Sequence, residues 1–154
     1  MKRAWRISNY ADLQGRGGER GTGRWHRHAR IVYCAENAAN ALLETLVHLE
    51  IESPDELPEH YQLLEIEIPD ELAITSLPDD SLPEHWRDDE RLTQSLGMAW
   101  MEQRTSALLH VPSAVMPAEF NLLLNPEHTD APRIRIGAAY RYPYDRRLFK
   151  TVGH

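Results

Sequence analysis

Residues 30–49, RIVYCAENAANALLETLVHL, pass from strand to helix character within a few positions and set the fold class. The first five, RIVYC, combine β-branched and aromatic side chains and read as a strand. Asn37 has the short polar side chain of a helix N-cap, and the spacing predicts a helix over 38–49. On that helix Leu42, Leu43, Leu46, Val47 and Leu49 share one side, while Asn37, Asn40, Glu44 and His48 fall within about 80° of one another on the other. Periodicity therefore places Glu44 on the solvated side, where charged residues ordinarily sit.

Upstream, RAWRIS (3–8) alternates as a strand and runs into GRGGERGTGR (15–24), a loop holding five of the eight glycines. Downstream, YQLLEIEIP (61–69) is a further strand, and the Pro- and Asp-rich segment 69–89 reads as a long surface connection. DDERLTQSLGMAWMEQR (88–104) has helical spacing, with acids in its first turn and Arg104 at its end, as the helix dipole favours. SALLHV (106–111), FNLLL (120–124) and RIRIGAA (133–139) complete a set of about six strands and two main helices. No repeat or heptad interrupts it. The reading is α+β, and 154 residues fit one domain spanning 1–154, which buries roughly 70% of its unfolded surface.

At 42% hydrophobic and 27% charged, the composition excludes a disordered chain. One cysteine, Cys34, rules out an internal disulfide framework. Arg6 and Asn9 interrupt any signal-peptide apolar region, and no run is long enough to span a membrane. A cytoplasmic protein is expected. The net charge of −7 argues against a general nucleic-acid binder but hides an asymmetry. Residues 1–30 hold eight Lys/Arg against Asp12 and Glu19; residues 50–130 hold 19 acids against three arginines; residues 133–150 hold six cations against Asp145. If the basic ends meet, they form a compact anion site suited to a small phosphorylated ligand; otherwise they are solvated surface charge.

His26-Arg27-His28 could set two imidazoles on one side of a strand, but no third ligand stands at diagnostic spacing and three arginines crowd the segment. These histidines read as surface or anion-contacting groups, and no metal is expected. The Gly-rich loop fits neither Walker nor Rossmann spacing, though it can bring backbone close to a phosphate. Ser113 lies in V-P-S-A and not in a nucleophile elbow, so a Ser-His-acid triad is unsupported.

Taken in order, W-R-I-S with Arg6, G-R-W (Gly23, Arg24, Trp25), I-V-Y ending at Tyr33 and A-L-L-E ending at Glu44 form one series. It continues with T-Q-S-L-G-x-x-W from Thr93 to Trp100, V-P-S at Ser113, N-L-L-L-N-P-x-H from Asn121 to His128 and Y-D-R-R-L ending at Leu148. The series resembles the RES family, named for a characteristic arginine, glutamate and serine, over about residues 4–148. After G-R-W the family usually has asparagine and then glycine; here His26, Arg27, His28 and Ala29 occupy that turn.

The resemblance implies an ADP-ribosyltransferase-like fold, a split, curved β core with flanking helices that holds NAD as substrate in a central cleft. Family members are NAD hydrolases or phosphorylases, and at least one resembles the transferases in modifying a protein. By the same resemblance Glu44 is the key carboxylate and Arg6 its catalytic companion. Arg6 and Arg24 bind the pyrophosphate, Tyr33 stacks on nicotinamide or ribose, and Ser113 and Asn125 help hold the ligand. The implied partner is an Xre-like helix-turn-helix antitoxin; a homo-oligomer or a toxin–antitoxin hetero-oligomer both remain open. Two competing readings are an RNA-cleaving toxin using the basic segment 16–30 and a catalytically silent interaction module.

Overall fold

The computed structural model describes residues 1–49, 61–141 and 145–149. Its regular elements are β1 (Lys2–Ser8), β2 (Val32–Ala35), α1 (Ala38–Leu49), β3 (Gln62–Ile68), β4 (Ile74–Ser76), α2 (Glu90–Gln103), β5 (Leu108–Pro112), β6 (Phe120–Leu124) and β7 (Arg135–Arg141). The strands form one open mixed sheet in the order β4-β5-β6-β2-β1-β3-β7. Every pairing is antiparallel except β4 with β5. The fold is α+β, as expected. All six expected strands form, with their ends moved by a few residues.

The seventh strand, β4, corrects the reading of 69–89 as surface. Leu72 is buried, and Trp86 is 1% exposed, with its indole N–H on Asp79 Oδ1 at 2.7 Å. Proline and aspartate density announces turns, but it says nothing of the apolar residues placed between them.

The sheet is two well-knit parts joined by a thin seam. β1 pairs with β3 at seven positions and β2 with β6 at four, whereas β1 meets β2 through Trp5 and Ala35 alone. One face carries a core of Ala4, Val32, Cys34, Ile66, Ile68, Leu108, Leu122 and Leu124, covered by Leu13, Leu72, Ala131 and Ile134 from loops. Both helices lie on the other face. There α1 sets Ala41 and Leu42 against Ile7, Ala35 and Trp5, and α2 sets Leu92, Leu96 and Trp100 against Leu109, Val111 and Leu123.

The orientation of α1 is a correction to the periodicity reading. Asn40 is 1% exposed while Val47 is 56% exposed, so the polar side faces inward and part of the leucine side faces out; Leu49's side chain lies outside the described residues. Two physical causes combine. The small Ala41 lets the helix approach Ala35 closely, and the strand ends beneath Asn37, Asn40 and Glu44 are themselves polar, so hydrogen bonds offset the burial.

α2 begins at Asp89, whose Oδ1 accepts from Leu92 N at 3.1 Å, and ends at Arg104 with φ 53. Its inward face is unusual in carrying Thr93, Gln94 and Gly97 beside Trp100. These residues grip the G-R-W segment: Thr93 Oγ1 donates to Arg24 O at 2.5 Å and Gln94 Nε2 to Gly23 O at 2.9 Å. A Cβ at Gly97 would stand 1.8 Å from Trp25 O, so only glycine permits this approach.

The basic ends do meet, around β3, but as ion pairs. Arg3 bonds Glu65 at 2.8 Å, Arg135 lies 3.9 Å from Glu67, the N-terminus bonds Asp70 at 2.6 Å, and Arg133 pairs with Glu71. A surface cavity of about 270 Å³ lies there, lined by Met1, Glu67, Pro69, Pro132, Arg133 and Arg135. Among the described residues no helix is long and apolar enough to cross a membrane.

Candidate active site

The inward polar side of α1 is built from its cap. Asn37 Oδ1 accepts from Asn40 N at 2.8 Å, and Asn37 Nδ2 donates to Glu119 Oε2 at 2.7 Å, tying the helix start to the chain entering β6. One turn on, Asn40 Nδ2 donates to Asn121 Oδ1 at 2.9 Å. A further turn on is Glu44, half-buried, whose Oε1 accepts from Ser113 Oγ at 2.7 Å and from Asn121 Nδ2 at 2.8 Å.

Ser113 is fully buried just past β5. Its Oγ also accepts from Val115 N and Met116 N, both at 3.1 Å, and its own N–H donates to Glu119 O at 2.8 Å, closing the turn between β5 and β6. The proline before it ends the strand, so the hydroxyl is presented by a turn instead of a ladder.

Tyr33 sits on the same face, opposite Leu123 and two positions from Ala35, which lies opposite Asn121. Its hydroxyl accepts from Trp25 N at 3.1 Å and meets His26 Nδ1 at 2.7 Å; His26 Nε2 meets Gly18 O at 3.0 Å. Because the Gly18 carbonyl can only accept, the imidazole hydrogen lies on Nε2, and Nδ1 of the neutral ring accepts the Tyr33 proton. Burial lowers the His26 pKa, outweighing the Gly18 carbonyl that would raise it, and burial also pushes the Tyr33 phenol up. His26 is 4% exposed, which corrects its reading as a surface or anion-contacting histidine. It is the post between Tyr33 and the Gly-rich loop. At Gly23 a Cβ would stand 2.5 Å from the Tyr33 hydroxyl.

A model of the RES domain matches residues 3–145. The chain belongs to the RES family. Similar proteins include a "Toxin Res" of Pseudomonas putida, 44% identical over 146 residues that span 94% of this chain and 98% of that one. A "Prs ADP-ribosylating toxin" of Sphingobium sp. is 38% identical, covering 96% of this chain and 97% of that one. In fold, the RES domain is similar to a solved chain from the M. tuberculosis MbcT–MbcA toxin–antitoxin complex. The TM-score is 0.73 at 19% identity, covering 96% of this chain and 86% of that one.

Within this RES domain the glutamate and serine are bonded to each other, and the arginine stands at the seam. Arg6 Nη1 donates to Tyr33 O at 3.0 Å, where β1 and β2 have parted. Cys34 lies nearby, its thiol pushed up to about 11 by burial and only partly held back by the Arg6 charge. Arg24 Nη1 donates to Arg87 O at 3.0 Å, beside the buried Trp86.

Asn125 stands apart. It lies just past the end of β6, four residues from Asn121, about 13 Å in extended chain. Its Oδ1 accepts from Glu127 N at 3.0 Å and its N–H reaches Ala107 O, so it shapes the turn leading to His128. Sequence reasoning passed over Asn121 in its favour. Strand alternation carried the missing signal, since in FNLLL Asn121 shares a face with Leu123 and so with the helices. Among the described residues no three His, Cys, Asp or Glu side chains gather as a metal site. Tyr144, which opens the Y-D-R-R-L motif, lies outside the described residues.

Proposed function

We propose that this chain is the toxin of a toxin–antitoxin pair and that it cleaves the nicotinamide N-glycosidic bond of NAD. The observation that carries the reading is the Glu44 carboxylate, turned inward against its helix's periodicity and held through one oxygen by Ser113 and Asn121. Both donors are neutral, so a carboxylate held this way can face a positive charge developing on the substrate. In NAD the C1′–N bond breaks with its electron pair leaving on nicotinamide, which departs neutral, and positive charge grows on the ribose. No general acid is needed for that departure, so a lone carboxylate suffices. Water, phosphate or a protein side chain then attacks C1′, and water or a hydroxyl acceptor releases its proton to solvent.

The remaining residues take roles consistent with their placement. Arg6 and Arg24 each commit one nitrogen to a backbone carbonyl, leaving guanidinium donors for the pyrophosphate. The Tyr33 ring, braced by its hydroxyl, is a wall for nicotinamide or ribose. The Sphingobium relative, named as an ADP-ribosylating toxin, supports this chemistry. The RNA-cleaving reading is weaker, because it gives no role to the Glu44 carboxylate and the Ser113 and Asn121 donors gathered on it.

The site would be silenced by an Xre-like antitoxin presenting an acidic segment to Arg6 and Arg24 in place of the pyrophosphate. The test is incubation of pure protein with NAD, with and without phosphate, and mass spectrometry of the products. Free nicotinamide together with ADP-ribose, ADP-ribose 1″-phosphate or a modified protein is the expected result. Intact NAD alongside cleaved RNA would establish the competing reading.

A further inference from the structure

We propose that Asn121 is a positioning residue that decides which oxygen of Glu44 faces the substrate. The proposal rests on the reading of Glu44 as the site carboxylate. A glutamate carboxyl turns freely about its last torsion, exchanging its two oxygens. Here both donors converge on Oε1, Ser113 Oγ at 2.7 Å and Asn121 Nδ2 at 2.8 Å, and among the described residues no donor reaches Oε2. One oxygen is the anchor; the other is left for a cation.

Asn121 can serve as a donor only in one orientation of its amide, and Asn40 imposes it. Asn40 Nδ2 occupies Asn121 Oδ1 at 2.9 Å, which turns the Asn121 NH₂ towards Glu44. Reversing the amide would face oxygen against carboxylate oxygen and nitrogen against nitrogen. Asn40 is itself held, its N–H on Asn37 Oδ1, and stands one helical turn before Glu44 on the same side of α1. Its own Oδ1 is buried with no partner. Such orphans are uncommon in native cores, so this polar chain is kept at a cost that an apolar residue at position 40 would avoid. Orienting Asn121 explains it.

The test compares Asn121→Ala and Asn121→Asp in the full-length protein, by NAD turnover and by the carboxyl-carbon NMR resonance of Glu44 without NAD. Loss of one hydrogen bond to a charged group predicts that Asn121→Ala lowers kcat by about 10- to 100-fold with KM within about twofold, and that the resonance moves. Asn121→Asp has the same shape but faces one carboxylate with another. Its activity is expected to be lowest near neutral pH and to recover partly as acid lets the pair share a proton. Glu119 on Asn37, Arg6 on the Tyr33 carbonyl and Tyr33 itself are unchanged in both variants, so a difference between the two pH profiles belongs to position 121. Unchanged kcat in Asn121→Ala, or profiles that coincide, would overturn the proposal. If wild-type protein leaves NAD intact, the functional reading fails, and the resonance still decides the clamp: a shift supports it and an unmoved signal sinks it.

Discussion

Gly97→Ala offers a test in which two physical effects predict opposite signs. As a helix-interior change it should stabilise the protein by about 1 kcal/mol. The structure gives a different result. The new Cβ would lie 1.8 Å from Trp25 O, whereas a carbon–oxygen contact needs about 3.3 Å, so helix and loop must part by about 1.5 Å. Neither side yields easily. Trp25 is 2% exposed and packs 6.0 Å, centroid to centroid, from the equally buried Trp86. The same displacement breaks the bonds from Thr93 to Arg24 O, now 2.5 Å, and from Gln94 to Gly23 O, now 2.9 Å. Two hydrogen bonds at about 1 kcal/mol each and overpacking of about 1–3 kcal/mol outweigh the helix gain, for a net loss of about 2–4 kcal/mol. In urea, with a slope near 2 kcal/mol/M, the midpoint should fall by about 1–2 M. A midpoint equal to or above wild type would refute the account of how T-Q-S-L-G grips G-R-W.

Three further outcomes are expected. Glu44→Gln keeps an oxygen for Ser113 and Asn121 but removes the charge, so its urea midpoint should stay near wild type while NAD turnover drops at least about 100-fold; near wild-type turnover would remove Glu44 from the chemistry. Ser113→Ala strands the Val115 and Met116 N–H groups and leaves Glu44 with Asn121 as its donor, and should cost about 2–4 kcal/mol in chemical denaturation besides lowering turnover. Because the folded His26 pKa lies below its ordinary value near 6.5, the unfolded chain binds the proton more readily. The stability His26 contributes is therefore complete above about pH 6.5 and lost as pH falls towards the lowered folded value. His26→Gln keeps one acceptor and one donor without titrating, so its denaturation midpoint should depend less on pH between 7.5 and 5, and an identical dependence would count against the buried neutral imidazole.

Much of this protein is determined locally and can be read in the chain. The strands RAWRIS and FNLLL and the Asn37 cap follow from side-chain chemistry within a few residues, and they appear where expected. The ordered motifs likewise marked Arg6, Tyr33, Glu44 and Ser113 as residues to place. Which side of α1 turns inward was not a local matter. The leucine count favoured one side, but the polar ends of β5 and β6, some 70 residues away, supplied Ser113 and Asn121 as partners that make the other side the buried one. His26 and Gly97 show the same limit. A histidine among arginines reads as surface, and a glycine in a helix reads as a weakness, until the fold puts Tyr33 against one and the Trp25 carbonyl against the other. Periodicity reports how much apolar surface a helix has; what lies opposite it is set by contacts distant in sequence, and a buried carboxylate is favourable only where such contacts bring it donors.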